Sequence, residues 1–132
     1  MLTSETFFEL VKQNRSCRRF DNAHKIGHAT LKQLVNLSRH CASAANMQPL
    51  KYVICNDETK SEEIFKCLGW AAYLKDWKGP VKEERPTAYI VIAGDTRIAK
   101  NFWCDHGITA QTMLLGARTM GLAGCMFGAI TL

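Results

Sequence analysis

The sequence predicts an α+β fold, in which helices alternate with short strands. Apolar residues recur at helical spacing in four stretches, and two short stretches rich in β-branched and aromatic residues lie between them. The chain has 132 residues, of which 47% are hydrophobic. This length and composition are typical of one globular domain, so we expect residues 1–132 to form a single domain.

Two helices are predicted in the first third of the chain. Phe7, Leu10 and Val11 recur at helical spacing. Thr3 or Ser4 can cap that helix, and its pattern ends near Asn14. A second helix is predicted to begin at a capping box formed by Thr30 and Gln33. Its apolar face consists of Leu31, Leu34, Val35, Leu37 and Cys41.

Strand patterns occur at three places. Residues 51–55 are short, β-branched and aromatic and follow Pro49, which indicates a strand. Residues 87–93 form a nearly continuous apolar run, which predicts a strand buried on both faces. The last residues, 125–132, look like the entry to another strand, whereas residues 70–85 have only a weak pattern that Gly-Pro interrupts.

Two further helices complete the pattern. Thr59 and Glu62 are spaced as a capping box, and the short helix that they open is expected to end at Gly69. A long helix is predicted over residues 101–120, with Gly121 just past its end. Because this long helix is apolar most of the way round, we expect it to lie centrally in the fold.

The composition excludes several classes of protein. No stretch has the length and apolarity of a membrane span, and the N-terminus lacks the features of a secretory signal, so we expect a cytoplasmic protein. The six cysteines include no Cys-x-x-Cys pair. We therefore expect reduced cysteines that act as small core residues, and neither a disulfide framework nor a metal site.

Two polar features stand out as candidate binding sites. The formal charge is +5, and basic residues cluster at Arg15, Arg18 and Arg19. A cluster of this kind binds a phosphate group, a nucleic acid or nothing. The connection SAANMQP places Ser43, Asn46 and Gln48 between a helix and a strand. These side chains can serve an ordinary surface loop, or they can hydrogen-bond a ligand.

Three separated segments together resemble the FMN-dependent nitroreductase family. The segment NRSCRRF is similar to the family's Arg-Arg-Ser-x-Arg-x-Phe, and ASAANMQPLKYVI is similar to its Pro-Ser-x-x-Asn-x-Gln-Pro-Trp-x-Phe-x-Val. DHGITAQTMLLGARTMGLAGCMFGAI resembles its long central helix and the exit from that helix. The order and spacing of the segments are also those of the family. The resemblance implies an α/β/α sandwich with a small mixed or antiparallel sheet and the long helix at a homodimer interface.

The resemblance assigns Arg15, Ser16 and Arg18 to the flavin. The matching family residues hold the FMN phosphate and ribityl chain and reach the pyrimidine edge of the flavin. A guanidinium group can form bidentate hydrogen bonds to phosphate, and a cation near flavin N1 stabilises the reduced flavin anion. Asn14 stands where the family has its first arginine. One phosphate contact is therefore in doubt.

The resemblance also assigns five residues from the other two segments. Ser43, Asn46 and Gln48 match a connection that lies against the flavin ring from the partner subunit. Gly128 and Ala129 match the place where the backbone approaches flavin N5, which requires small side chains.

The implied function is FMN-dependent oxidoreduction. NADH or NADPH would be the donor, an electron-poor small molecule such as a nitroaromatic or quinone the acceptor, and the mechanism ping-pong hydride transfer through flavin N5 without a catalytic side chain. Family members continue past the strand near Cys125, so we expect this chain to lack their C-terminal region. The alternative is a flavin-free binding or scaffold protein. Nucleic-acid binding is disfavoured because no helix is basic along one face.

Overall fold

The computed structural model describes residues 1–132 and shows an α+β fold, as the sequence predicts. The elements in chain order are α1 (Ser4–Gln13), α2 (His28–Leu37), β1 (Leu50–Cys55), α3 (Glu58–Lys66), β2 (Tyr89–Gly94) and α4 (Asp105–Thr119). Single 3-10 turns occur at Ser38–His40, Ala44–Asn46 and Lys82–Glu84. None of the helices combines the length and the apolar character needed to cross a membrane.

The sheet consists of β1 and β2 in antiparallel pairing, with Tyr52 opposite Ile92 and Val53 opposite Val91. Strand β1 contacts α2. Val53 and Val91, which point to the same side of the sheet, are 58% and 38% exposed. The predicted burial of the second strand on both faces is therefore wrong. The face of the sheet that carries Val53 and Val91 is covered only at one end, where Cys55 contacts Ser61 of α3. The middle of this face is exposed to solvent.

The main helix contact lies between α2 and α4. Leu31 and Leu34 are the buried residues of α2. The buried residues of α4 follow at intervals of four, namely Asp105, Thr109, Met113 and Ala117. A Cβ atom on Gly116 would collide with the side chain of Leu37 at the end of α2, so a glycine lets the two helices approach closely here. Helix α4 also contacts α1, which gives it the central position that its sequence predicts.

The first helix follows its prediction closely. Thr3 is the N-cap of α1, because its side chain accepts a hydrogen bond from the backbone N–H of Thr6 at 3.2 Å. The hydroxyl of Thr6 in turn accepts from the N–H of Thr3 at 2.8 Å, and Asn14 ends the helix. No residue of α1 is buried, and Phe8 is 66% exposed. Helix α1 therefore presents apolar side chains to solvent.

The two predicted capping boxes are wrong. Thr30 lies inside the first turn of α2, whose N-cap is Gly27 and has no side-chain hydrogen bond. In α3 the N-cap is Asp57, which accepts from the N–H of Lys60 at 2.9 Å, so Thr59 lies inside the helix. Asp57 lies two residues after the end of β1, and its carboxylate caps the helix before Thr59 can.

Helix α4 begins four residues later than predicted and ends one residue before the predicted end. Ahead of it, the side chain of Asn101 accepts a hydrogen bond from the N–H of Trp103 at 2.9 Å. Trp103 has φ of 43°, so the chain makes a turn there and cannot continue as helix. Past the other end, Gly121 adopts φ of 74°, as expected for a glycine that terminates a helix.

The C-terminal segment makes a single β-bridge. Ile130 pairs with Leu68 in antiparallel fashion, and the N–H of Thr131 donates to the carbonyl of Cys67 at 2.8 Å. The predicted strand at residues 125–132 is thus reduced to an isolated bridge beside the end of α3.

Candidate functional site

The arginine segment, residues 14–20, runs without regular structure after α1. The N–H of Cys17 donates to the carbonyl of Gly124 at 2.9 Å, and the N–H of Phe20 donates to the carbonyl of Glu84 at 2.8 Å. The first of these bonds joins the segment to residues 121–130, the exit segment of α4. Two of the three motif segments are therefore neighbours in the fold.

Arg18 lines an open cleft of about 970 Å³. Its guanidinium lies 5.7 Å from the centre of the Tyr73 ring, and the residue is half-buried. The cleft is lined by Cys17, Arg18, Arg19, Tyr73, Leu74, Lys75, Asp76 and Trp77. Arg15 and Ser16 precede it on the exposed surface. The rest of the lining comes from residues 73–77, which lie in the stretch where the sequence has only a weak pattern.

The thiol of Cys125 provides a second indication that the arginine segment and the exit segment are close. Burial raises the pKa of the Cys125 thiol, while the positive charge of Arg18 opposes this increase. The guanidinium of Arg18 is therefore close enough to the exit segment to influence Cys125, and Arg18 also lines the cleft.

The loop that comprises residues 43–48 has a strained backbone. Ala45, Asn46 and Gln48 adopt φ of 49°, 53° and 51°, values that are unfavourable for residues with a Cβ atom. The side-chain amide of Gln48 donates to the side-chain oxygen of Asn46 at 2.6 Å, and both residues are exposed. The loop thus holds two carboxamide groups side by side at the surface.

Asp105, the first residue of α4, anchors this loop. One carboxylate oxygen accepts a hydrogen bond from the Ser43 hydroxyl at 2.6 Å, and the other accepts from the N–H of Ala44 at 3.1 Å. The Ser43 hydroxyl also accepts from the N–H of Gln48 at 2.9 Å. Sequence patterns do not predict this role of Asp105; the only signal for it is an acidic residue near the start of a long helix.

Ser43 and Gln48 line a second cleft, of about 500 Å³, which also includes Asp105 and residues of α2 and β1. Arg18 is not among the residues that line it. Within one chain, the arginine segment and the loop 43–48 therefore line different clefts. A flavin site built between subunits would bring the loop of a second copy to the arginine segment, and this arrangement stays a prediction.

Gly128 and Ala129 lie in the exit segment and are exposed. The carbonyl of Ala129 accepts a hydrogen bond from the N–H of Gly69 at 2.7 Å. Apart from Gly128 and its two chain neighbours, no residue has an atom within 4 Å of the position that a Cβ atom on Gly128 would occupy. The ring of Phe127, one residue earlier, packs edge-on against Trp70 with centroids 4.6 Å apart. The backbone at Gly128 is thus accessible to a ligand, and the packing of Phe127 against Trp70 holds it in place.

Solved structures with the same fold come from several bacteria. A candidate NADH dehydrogenase/NAD(P)H nitroreductase from Parabacteroides distasonis is 22% identical, with a TM-score of 0.69 over 88% of this chain and 64% of that protein. An FMN-dependent nitroreductase from Clostridium difficile is 19% identical, with a TM-score of 0.70 over 88% and 62%. A protein from Exiguobacterium sibiricum, solved in complex with FMN, is 18% identical, with a TM-score of 0.73 over 98% and 78%.

These likenesses establish the fold. The chain spans less than two thirds of the length of the first two of these proteins. A comparison with curated proteins finds no match. The profile of the nitroreductase family, in contrast, matches residues 11–132, which include the arginine segment, the loop 43–48, α4 and its exit segment. The chain belongs to the nitroreductase family.

Proposed function

We propose that the chain is an FMN-dependent NAD(P)H oxidoreductase that acts as a homodimer with flavin sites between its subunits. Membership of the nitroreductase family supports this proposal, as does the likeness to a C. difficile nitroreductase described as FMN-dependent. The acceptor would be an electron-poor small molecule such as a nitroaromatic or a quinone. A cytoplasmic location, as the sequence predicts, fits this activity.

The observation that carries the proposal is the hydrogen bond from the N–H of Cys17 to the carbonyl of Gly124, which joins two of the motif segments. The residue that makes this bond precedes Arg18, and its partner belongs to the exit segment, which also contains Gly128 and Ala129. The groups present suit FMN. Exposed guanidinium and hydroxyl groups can bind phosphate and ribityl oxygens, and a half-buried cation can stabilise negative charge at the edge of a planar heterocycle.

In this site Arg15 and Ser16 would hold the phosphate and ribityl chain. Arg18 would stabilise negative charge at the pyrimidine edge of the flavin. The loop 43–48 of the other subunit would supply the carboxamides of Asn46 and Gln48 to the ring edges. The chemistry supplied by bound FMN is ping-pong hydride transfer through its N5, from NADH or NADPH to the acceptor.

Titration of the purified protein with FMN, followed by flavin fluorescence, tests the proposal. We expect saturable binding and oxidation of NADH or NADPH in the presence of a quinone. Arg18→Ala should raise the Kd for FMN about 10- to 100-fold, because a charge-assisted contact contributes roughly 1.5–3 kcal/mol. Lys78→Ala, which removes an exposed cation outside the cleft, should leave the Kd unchanged. If FMN does not bind saturably, the chain is instead a flavin-free binding or scaffold protein.

Mixed dimers test whether the site is shared between subunits. One subunit carries Arg18→Ala, and the other carries Asn46→Ala with Gln48→Ala. If each flavin contacts the arginine segment of one subunit and the loop of the other, the mixed dimer contains one intact site and regains about half of the wild-type flavin binding. If both segments act within one chain, every site has a defect and no binding is regained.

A further inference from the structure

We propose that Asp105 is the positioning residue that holds the loop 43–48 in its flavin-binding conformation. This inference rests on the proposed function. Asp105 itself would not contact the flavin. Its role would be to fix the loop whose Asn46 and Gln48 carboxamides make that contact.

The contacts of Asp105 cover both ends of the loop. Its carboxylate accepts hydrogen bonds directly from the Ser43 hydroxyl and the N–H of Ala44. Through the Ser43 hydroxyl, which accepts from the N–H of Gln48, the carboxylate also fixes the far end of the loop. A single side chain from α4 thus closes the loop into a ring of hydrogen bonds.

The loop needs such an anchor, because its backbone is unfavourable by itself. The left-handed region is sterically unfavourable for residues with a Cβ atom, and Ala45 and Gln48 adopt it together with Asn46, which tolerates it better. Without the hydrogen bonds to Asp105 and Ser43, the loop would relax to more favourable φ values. The two carboxamides would then lose their side-by-side arrangement.

Asp105 is itself held rigidly. The residue is 3% exposed, and its N–H donates to the carbonyl of Phe102 at 2.9 Å. It begins the buried stripe of α4 that continues through Thr109 and Met113. The positive end of the helix dipole favours a carboxylate at this position. The loop is therefore connected to the packed interior of the domain by a short, charge-assisted hydrogen bond.

The test compares Asp105→Asn with Asp57→Asn, the matched change at the start of α3, where the aspartate accepts a backbone hydrogen bond from its own helix and not from the loop. Asparagine keeps the size of the side chain but replaces one acceptor oxygen with a donor that would face a donor of the loop. We expect Asp105→Asn to raise the Kd for FMN about tenfold and to shift the visible spectrum of the bound flavin. Asp57→Asn should change neither.

A double-mutant cycle separates positioning from a general loss of stability. In a protein that already carries Asn46→Ala and Gln48→Ala, Asp105→Asn should change the Kd for FMN by less than twofold, because the loop has no carboxamides left to position. A full tenfold loss in that background would overturn the proposal. If Asp105→Asn does not fold, Ser43→Ala removes the same hydrogen bond from the loop side and should give the same tenfold effect.

The outcomes also separate this inference from the proposed function. If the wild-type protein binds FMN and neither Asp105→Asn nor Ser43→Ala changes the Kd, the positioning role is wrong and the proposed function stands. If the wild-type protein does not bind FMN, the proposed function fails, and the flavin-positioning role fails with it.

Discussion

The arginine segment and the loop 43–48 carry most of the proposed flavin contacts, but different interactions fix their conformations. The arginine segment is held through its backbone, by hydrogen bonds from Cys17 to Gly124 and from Phe20 to Glu84. The loop is held through side chains, by the carboxylate of Asp105 and the hydroxyl of Ser43. Its backbone also carries three unfavourable φ values, whereas no residue of the arginine segment has a positive φ.

In the arginine segment, the side chains proposed to bind the ligand are not the groups that hold the conformation. In the loop 43–48, side chains serve both purposes. Because backbone groups hold the arginine segment, its side chains can be replaced without loss of the bonds that place it. In the loop, the side chain of Ser43 both determines the conformation and lies in the candidate site. We therefore expect substitutions in the arginine segment to change mainly ligand affinity, and substitutions in the loop to change stability as well.

Ser43→Ala should have the largest effect on stability. The substitution leaves one oxygen of the buried Asp105 carboxylate without its donor and the N–H of Gln48 without its acceptor. An unpaired buried group costs about 1–3 kcal/mol, so we expect the free energy of unfolding to fall by about 2 kcal/mol. Urea-induced unfolding of the FMN-free protein, followed by circular dichroism, measures this change.

Two variants serve as controls for Ser43→Ala. Ser43→Thr keeps the hydroxyl and should retain most of the stability. Ser38→Ala removes a half-buried hydroxyl that donates to the carbonyl of Val35 at the end of α2, and it should cost less than about 0.5 kcal/mol. If Ser43→Ala and Ser38→Ala lower the free energy of unfolding equally, the hydrogen bond to Asp105 stabilises the protein no more than an ordinary side-chain hydrogen bond does.

Ala45→Gly should have a smaller effect of the opposite sign. Ala45 has φ of 49° and ψ of 22°, a conformation that glycine adopts without steric cost. Relief of this strain exceeds the greater entropy of glycine in the unfolded chain, so we expect the protein to be stabilised by about 0.5–1 kcal/mol. Ala110→Gly within α4 should instead destabilise the protein by about 1 kcal/mol. If both substitutions destabilise the protein, Ala45 is not strained.

The same contrast explains which features the sequence could predict. The arginine segment was recognisable from consecutive residues, and α1, β1 and the end of α4 follow from local patterns of apolar residues and caps. The anchoring role of Asp105 was not recognisable, because the hydrogen bond to Ser43 joins residues 62 positions apart. Such a contact depends on the packing of α4 against the rest of the chain, which no local pattern encodes.

Errors in the sequence-based interpretation have similar causes. Two capping boxes have the correct spacing, but an earlier N-cap residue, Gly27 or Asp57, starts each helix first. Burial of β2 on both faces was inferred from its apolar composition, yet Val91 faces solvent beside Val53. Composition indicates that a strand can be buried, but the neighbouring elements determine whether it is.

Arg19→Ala should have the smallest effect, and it tests how specific the arginine segment is. The Arg19 side chain is 64% exposed; it lies 3.3 Å from a carboxylate oxygen of Glu84 and 5.6 Å from the centre of the Trp77 ring. Exposed ion pairs and cation–π contacts each contribute at most about 1 kcal/mol and commonly much less. We therefore expect a loss of stability of about 0.5 kcal/mol and a change in the Kd for FMN of less than about threefold.

The comparison of Arg19→Ala with Arg18→Ala also tests the nucleic-acid alternative. A flavin site requires Arg18 in its half-buried position beside Tyr73, whereas a nucleic acid attracted by charge alone would depend on both arginines equally. Binding of a labelled oligonucleotide, measured across a range of salt concentrations, separates the two cases. Equal losses for the two variants, with affinity falling steeply as salt increases, would contradict the flavin site and favour the nucleic acid. Because Arg18 is half-buried beside Tyr73 in the cleft while the Arg19 side chain is mostly exposed, we expect the two variants to differ in FMN binding.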